Sequence, residues 1–162
     1  GAYAVYNNDL FNVEIYGNLY NAYAVDDDRG ICALGWHVPS DEEFMELEMF
    51  IGMSEEEANS FGERGTNEGS KLAGNADLWL DGDLINNSEF GMSEFAMLPA
   101  GMCPHSDGVY TNQRITAYYW SSSEHETNEY QNFYRNVTKD LTSVSRYTPY
   151  KAMGCSIRCL AD

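Results

Sequence analysis

Four cysteines, three histidines and a run of three aspartates are the side chains of this 162-residue chain whose types could do chemistry. The cysteines stand at 32, 103, 155 and 159, an even number without the C-x-x-C spacing of a zinc site, which favours disulfides over metal. Cys155 and Cys159 lie in "GCSIRC", where Cys155, Ile157 and Cys159 alternate with Ser156 and Arg158, the pattern of a strand. Residues four apart in a strand are ~13 Å from each other, about twice the Cα separation that a disulfide tolerates. These two cannot bridge one another. If both are oxidised, their partners are Cys32 and Cys103, in either of two connectivities, and the chain belongs to an oxidising compartment, secreted or at a cell surface. Four buried thiols in a cytosolic protein is the competing reading.

The other reactive groups are less organised. His37, His105 and His125 are scattered: the first precedes a helix start and reads as a hydrogen-bonded core residue, the other two fall in turns. There is no Ser-His-Asp arrangement, phosphate-cradling glycine loop or HExxH motif. Consecutive aspartate side chains in "DDDRG", 26 to 30, diverge, so this segment reads as a solvated turn rather than a calcium loop. The sequence calls for no cofactor. Calcium, held by oxygen ligands from the long loops, is the one exception it leaves open, and no ligand set can be named for it.

A second kind of chemistry is recognition. Aromatic residues make up 14% of the chain, 12 of them Tyr, and the stretch from Tyr118 to Lys151 is crowded with Tyr, Asn, Ser, Thr and Arg. The candidate ligand-binding residues are Tyr118, Tyr130, Asn132, Tyr134, Arg135, Asn136, Ser143, Ser145, Arg146, Tyr147 and Tyr150. Stiff aromatics supply contact area and small polar side chains supply adaptable hydrogen bonds, as in a paratope. Tyr and Thr are also ordinary strand formers, so half of these tyrosines should be packing rather than touching a ligand.

The length fits one domain spanning 1–162, and the patterning gives its elements. Residues 1 to 25 read as short strands and turns. Ser40 with Glu43 forms an S-x-x-E capping box, and Phe44, Leu47, Phe50 and Ile51 follow at helical spacing, which predicts a helix over 41–51. Ser54 with Glu57 opens a second, short acidic helix that ends by Gly62, and 66–74 reads as another helical turn or two. From "FAMLPAG" onward the signal is strand: 95 to 103, a hairpin with "SDG" at its tip, then "AYYWSS", "YQNFYRNV", "LTSVSRY" and "GCSIRCL". Helices followed by a meander of strands is the α+β class. With 9 Lys+Arg against 26 Asp+Glu the net charge is -17, which repels nucleic acid and anionic lipid alike. No apolar stretch approaches the ~20 residues of a direct membrane span.

The segments "YNND", "YGNLYNAYAV", "GWHVPSDEEF", "RGTNEGSKL", "FAMLPAG", "YYWSSSE" and "SIRC" occur in that order. Together they resemble the Fibrobacter succinogenes major paralogous domain, a bacterial family of secreted and lipoprotein-borne modules, over nearly the whole chain. The resemblance implies a C-type lectin-like fold, related to the formylglycine-generating enzymes and to the variable ligand-binding proteins of diversity-generating retroelements. The family usually has Arg or a similar residue where Cys103 stands and an aromatic where Cys155 stands. Two unusual cysteines appearing together imply a Cys103–Cys155 bridge, which leaves Cys32 for Cys159. Ala4 stands where many members have Cys.

Thiol oxidation by the formylglycine-generating relatives uses closely spaced cysteines, but the spacing in "CSIRC" is four rather than five and both thiols have structural partners to hand. Sugar-binding lectins of this type hold calcium with a Trp-Asn-Asp segment; here Trp120 is followed by three serines. The expectation is therefore a non-enzymatic secreted or cell-surface module that binds a protein or glycan through its C-terminal strands and loops. A retroelement-diversified version is one form of it. A structural or adhesive building block, whose tyrosines simply pack, is the alternative, and a thiol oxidase the third.

Overall fold

The computed structural model describes residues 1–104 and 108–162. In chain order the elements are β1 (Tyr3–Ala4), α1 (Leu10–Tyr16), β2 (Leu19–Tyr20), α2 (Ala22–Val25), β3 (Trp36–His37), α3 (Asp41–Phe50), α4 (Glu55–Asn59), β4 (Gly62–Arg64), α5 (Glu68–Leu72), α6 (Asp83–Asn86), β5 (Thr116–His125), β6 (Asn128–Thr138), β7 (Val144–Tyr147) and β8 (Leu160–Ala161). Helices thus precede the long strands, as the α+β reading expects.

The main sheet has the order β4-β7-β6-β5, with every neighbouring pair antiparallel. Its longest strands form the β5–β6 hairpin, with β6 inside the sheet and β5 at its edge, and their aromatic-rich sequences suit a half-buried pleated surface. One face, called inner here, packs against the helical half. Ala117, Tyr119, Val137 and Val144 from the strands meet Phe44, Met53, Leu72, Trp79, Leu84, Phe95 and Met97. Against the opposite, outer face pack Ala22, Val25, Met102, Met153, Cys155 and Ile157, around Tyr118, Trp120 and Tyr134.

Both expected capping boxes are present. The Ser40 hydroxyl accepts from the Glu43 N–H at 3.1 Å, while the Glu43 carboxylate accepts from the Ser40 N–H at 2.7 Å. Ser54 and Glu57 repeat the arrangement at α4. Such caps satisfy backbone donors that a helix end leaves without partners.

Three expectations need correction. Residues 10–16 form a helix rather than strands: Asp9 accepts from the Phe11 N–H at 3.1 Å, and Gly17 ends the helix at φ 77°. Val13 and Ile15 look like strand formers, but the bracketing Asp and Gly decide the local state. The segment 95–103 forms only isolated bridges, Met97 to Ala73, Met102 to Thr111 and Cys103 to Gly154. Of the "SDG" tip expected beyond it, Ser106 and Asp107 lie outside the described residues, as does His105. The tail is likewise no single regular strand: Cys155 pairs with Tyr20, Ser156 with Tyr119, and only Leu160–Ala161 joins Trp36–His37 as a ladder.

One of the two expected disulfides is formed. Cys32 and Cys159 are bonded, with Cα atoms 5.9 Å apart across 127 residues of sequence. The Cys103–Cys155 bridge is not formed. Cys103 exchanges both backbone hydrogen bonds with Gly154, one residue short of Cys155. Alternation along the tail then turns the two side chains apart: Cys103 packs with Tyr6, Leu19 and Ala100, whereas Cys155 packs with Ala22, Tyr118 and Trp120. Burial, with Cys103 nearby, pushes the Cys155 thiol well up, so it stays protonated and inert.

Candidate functional site

The candidate residues lie on β5, β6, β7 and the segments flanking them, and the pleat divides them. Register pairs Trp120 with Tyr134 and Tyr134 with Tyr147; the next row of the same face is Tyr118, Asn136, Ser145 and Glu63. Between these rows lies Tyr119, Arg135, Arg146 and Gly62, facing inward. A single residue of displacement separates a ligand-facing position from a core position.

The two arginines expected at the surface are buried, which takes them out of the binding face. Arg135, fully buried, donates to Asp41 Oδ1 at 2.6 Å and to Glu48 Oε1 at 2.7 Å. Arg146 donates from Nε to both Asp41 oxygens at 3.1 Å, and from Nη1 to the Asn59 carbonyl at 3.0 Å. Its guanidinium lies 4.7 Å from the ring centres of both Phe61 and Phe133. Arg64 completes the group, 2.9 Å from Glu48. Three guanidinium groups thus share two carboxylates. Burial acts to raise the Asp41 carboxyl, but the hydrogen bonds and charges of Arg146 and Arg135 outweigh it and hold Asp41 below the ordinary carboxylate range. Asp41 and Glu48 sit two turns apart on the same side of α3 as Phe44, so the helix presents acids where a core would normally take apolar groups.

Asn132 is also fully buried, donating to the Ser121 carbonyl at 2.8 Å across the β5–β6 irregularity. Lys151 is buried too, ion-paired with Asp26 at 2.8 Å and with Glu124. None of these can meet a ligand from this arrangement.

The outward rows are different. Tyr118 and Tyr134 stack at 5.8 Å with an interplanar angle of 14°, and Tyr134 lies 6.4 Å from Tyr147, making a ladder of rings across three strands. Exposure rises along it: Tyr118 is buried, Tyr134 half-buried, and Tyr147 46% exposed. Burial, with Cys155, Tyr118 and Tyr147 around it, raises the Tyr134 hydroxyl, which therefore remains a neutral donor. Beside the ladder, the Ser143 hydroxyl donates to Glu63 Oε1 at 2.8 Å, and Asn136 carries a buried Oδ1 with no hydrogen-bond partner. Tyr130 and Tyr150 are 59% and 63% exposed near the hairpin end of the sheet, but Tyr150 stands opposite Gln131, on the pleat position of Phe133 rather than of Tyr134. Sequence reading missed Glu63 and Phe61. Nothing local in "FGER" marks them; β4 becomes part of the sheet only by pairing with β7, some eighty residues away.

His37 is a bridge rather than a core residue, 2.7 Å from Asp162 and 2.8 Å from Glu43 on its two ring nitrogens. Those carboxylates raise its pKa. A groove of about 310 Å³ lies elsewhere, beside Tyr3, Tyr20, Ala24 and Ile31, and none of the candidate residues lines it. Among the described residues, no group of three or more His, Cys, Asp or Glu is arranged to hold a metal ion, and no helix is long and apolar enough to cross a membrane.

An antiparallel sheet that is charged inside and aromatic outside, set against short capped helices and closed by one disulfide, defines an α+β module. Residues 1–161 match the family model of the Fibrobacter succinogenes major domain, and the chain belongs to that family. No curated protein and no solved structure matches it.

Proposed function

We propose that this chain is a non-enzymatic, secreted or cell-surface module of C-type lectin-like fold, anchored in its parent protein by other segments or a lipid, that binds a protein or glycan through its C-terminal strands. The observation that carries the reading is the exposed end of the tyrosine ladder, set on strands that a buried ion network ties to α3. Rigid aromatics on a fixed frame lose little entropy when a ligand docks. A disulfide between residues 127 apart in sequence suits an oxidising location. The same bridge ties up Cys159, so the thiol pair needed for oxidase chemistry is not at hand.

The proposed face is narrower than the sequence alone implies: Tyr147, Tyr134 and Asn136, with Tyr130 and Tyr150 at its margin, because Ser143 and Ser145, like Tyr118, are buried. If the chain is retroelement-diversified, variation spares Asn132, Arg135 and Arg146, because substitution there strands buried charge or buried amide groups. A near-identical repeat of the codons for 118–150 beside a reverse transcriptase gene, mismatched chiefly at outward positions, tests that form. The binding reading itself is tested on an array of bacterial surface proteins and glycans, comparing the native chain with a Tyr130→Ala, Tyr147→Ala, Tyr150→Ala variant. Specific capture lost in the folded variant is expected; capture by neither sinks the reading.

A further inference from the structure

The outward face is uneven in a way that narrows its ligand. Its exposed part consists of the Tyr147 ring and Glu63, with the half-buried Tyr134 ring and the partly buried Asn136 beside them; Ser145, between Asn136 and Glu63 in the same row, and Ser143, which donates to Glu63, are buried. The Tyr147 hydroxyl reaches over Gly62, where an added Cβ would come within 3.8 Å of it, so the side chain leans across the strand rather than standing free. A stable protein interface engages roughly 20–30 residues a side around an apolar centre. Two rings and a handful of hydroxyl, amide and carboxylate groups are too few for that. They match the size of one or two sugar rings.

Their chemistry points the same way. A pyranose offers a C–H face that packs on an aromatic ring, and an edge of hydroxyls that need acceptors and donors close by. Glu63 has one oxygen engaged by Ser143 and is exposed, so its other oxygen is available to accept. The Asn136 amide oxygen, buried beside the ladder, has no hydrogen-bond partner. Buried polar atoms are normally satisfied, and a hydroxyl reaching in from the ligand would satisfy this one. No residue of these two outward rows is cationic; the nearby arginines are turned inward and paired with Asp41 and Glu48. With a net charge of -17 and Glu63 at the site, an anionic ligand would be repelled.

We infer that Tyr147, Tyr134, Glu63 and Asn136 form a metal-independent subsite for a neutral sugar ring of a glycan. This rests on the binding reading above and specifies its ligand class. The hydroxyls donate to Glu63 and to Asn136 Oδ1, and the C–H face lies on Tyr147.

The test is an array of neutral oligosaccharides with sialylated and uronic-acid counterparts and bacterial surface proteins, probed in the presence of a chelator, followed by calorimetry on the best neutral glycan. Expected is chelator-resistant capture of neutral glycans, weakened about tenfold or more by Tyr147→Ala and about five- to tenfold by Glu63→Gln. Both positions are exposed, and circular dichroism confirms that both variants fold. Tyr147→Phe, which keeps the ring, should retain most of the affinity. Capture of surface proteins only, lost in Tyr147→Ala, overturns the sugar subsite while leaving the binding reading standing. Preference for acidic glycans, release by the chelator, or neutral-glycan binding indifferent to both variants also overturns it.

Discussion

Tyr134 and Arg135 are neighbours in sequence and belong to two different proteins in chemical terms. Tyr134 lies on the outward ladder, half in solvent; Arg135 is sealed between Asp41 and Glu48. The outer face is aromatic and uncharged except at Glu63, whereas beneath it the helix-facing side carries three arginines and two acids. The comparison teaches that rigidity and recognition are divided between the two sides of one sheet. The inner side tolerates almost no change, because a buried charge deprived of its partner cannot regain its hydration. The exposed end of the outer side, at Tyr147, tolerates much, because a truncated exposed ring is replaced by water, whereas Tyr118 and Trp120 on the same face are packed.

Measurements that break one side and spare the other sharpen this contrast. The largest effect should come from Arg135→Ala, which strands Asp41 and Glu48 and costs about 3–5 kcal/mol, read as a lower urea midpoint. Reducing the Cys32–Cys159 bridge should cost about 2–5 kcal/mol by freeing the unfolded chain, seen as a lower Tm in reductant. Acid acts next on the inner face. Asp41 is held below the ordinary range when folded, so its contribution is fully present above its unfolded pKa and disappears as the pH falls through the folded value. An Asp41→Asn variant should flatten that limb of the pH–stability profile, and an unchanged acid limb would contradict the assignment.

His37 gives a smaller effect of opposite sign. Its folded pKa is raised by Asp162 and Glu43, so the stabilisation is complete below its unfolded pKa and is lost as the pH rises through the folded one. Titration of its ring protons by NMR should show the upward shift, and His37→Gln should abolish this alkaline slope while leaving the Asp41 part of the acid limb in place, the Glu43 part being reduced with the loss of its histidine partner. Smallest of all for stability is Tyr147→Ala, within about 0.5 kcal/mol of the native chain by urea unfolding. A large loss there would mean that the ring packs rather than presents, and would favour a structural building block.

Local chemistry was the most legible part. Ser40 with Glu43 and Ser54 with Glu57 specify helix starts through contacts three residues apart, and the structure has both. The stretch 10–16 shows the limit of such reading, because strand-forming side chains outvoted the Asp9 cap and Gly17 stop that in fact set its state. The two arginines were misread for a different reason. Arg is usually exposed, and their partners lie about a hundred positions earlier in the chain, on a helix. Acids at 41 and 48 flanking Phe44 on one helical face were a usable sign that cations must come to meet them.

Cysteine arithmetic behaved similarly. Cys155 and Cys159 are not bonded to each other, as expected, although the tail is not the regular strand which that spacing assumed, and the Cys32–Cys159 bridge is present. The second bridge fails on register, since Cys103 pairs with Gly154 rather than with its neighbour.

By itself, then, the sequence determined helix starts, the strand-rich second half and the net negative field, because each depends on residues close in the chain or on simple sums. Only the tertiary structure decided which tyrosines face outward, which arginines are sealed in and which cysteines bond. Those outcomes depend on the pleat parity of β6 and β7 and on where α3 packs, and a shift of one residue in register would reverse them.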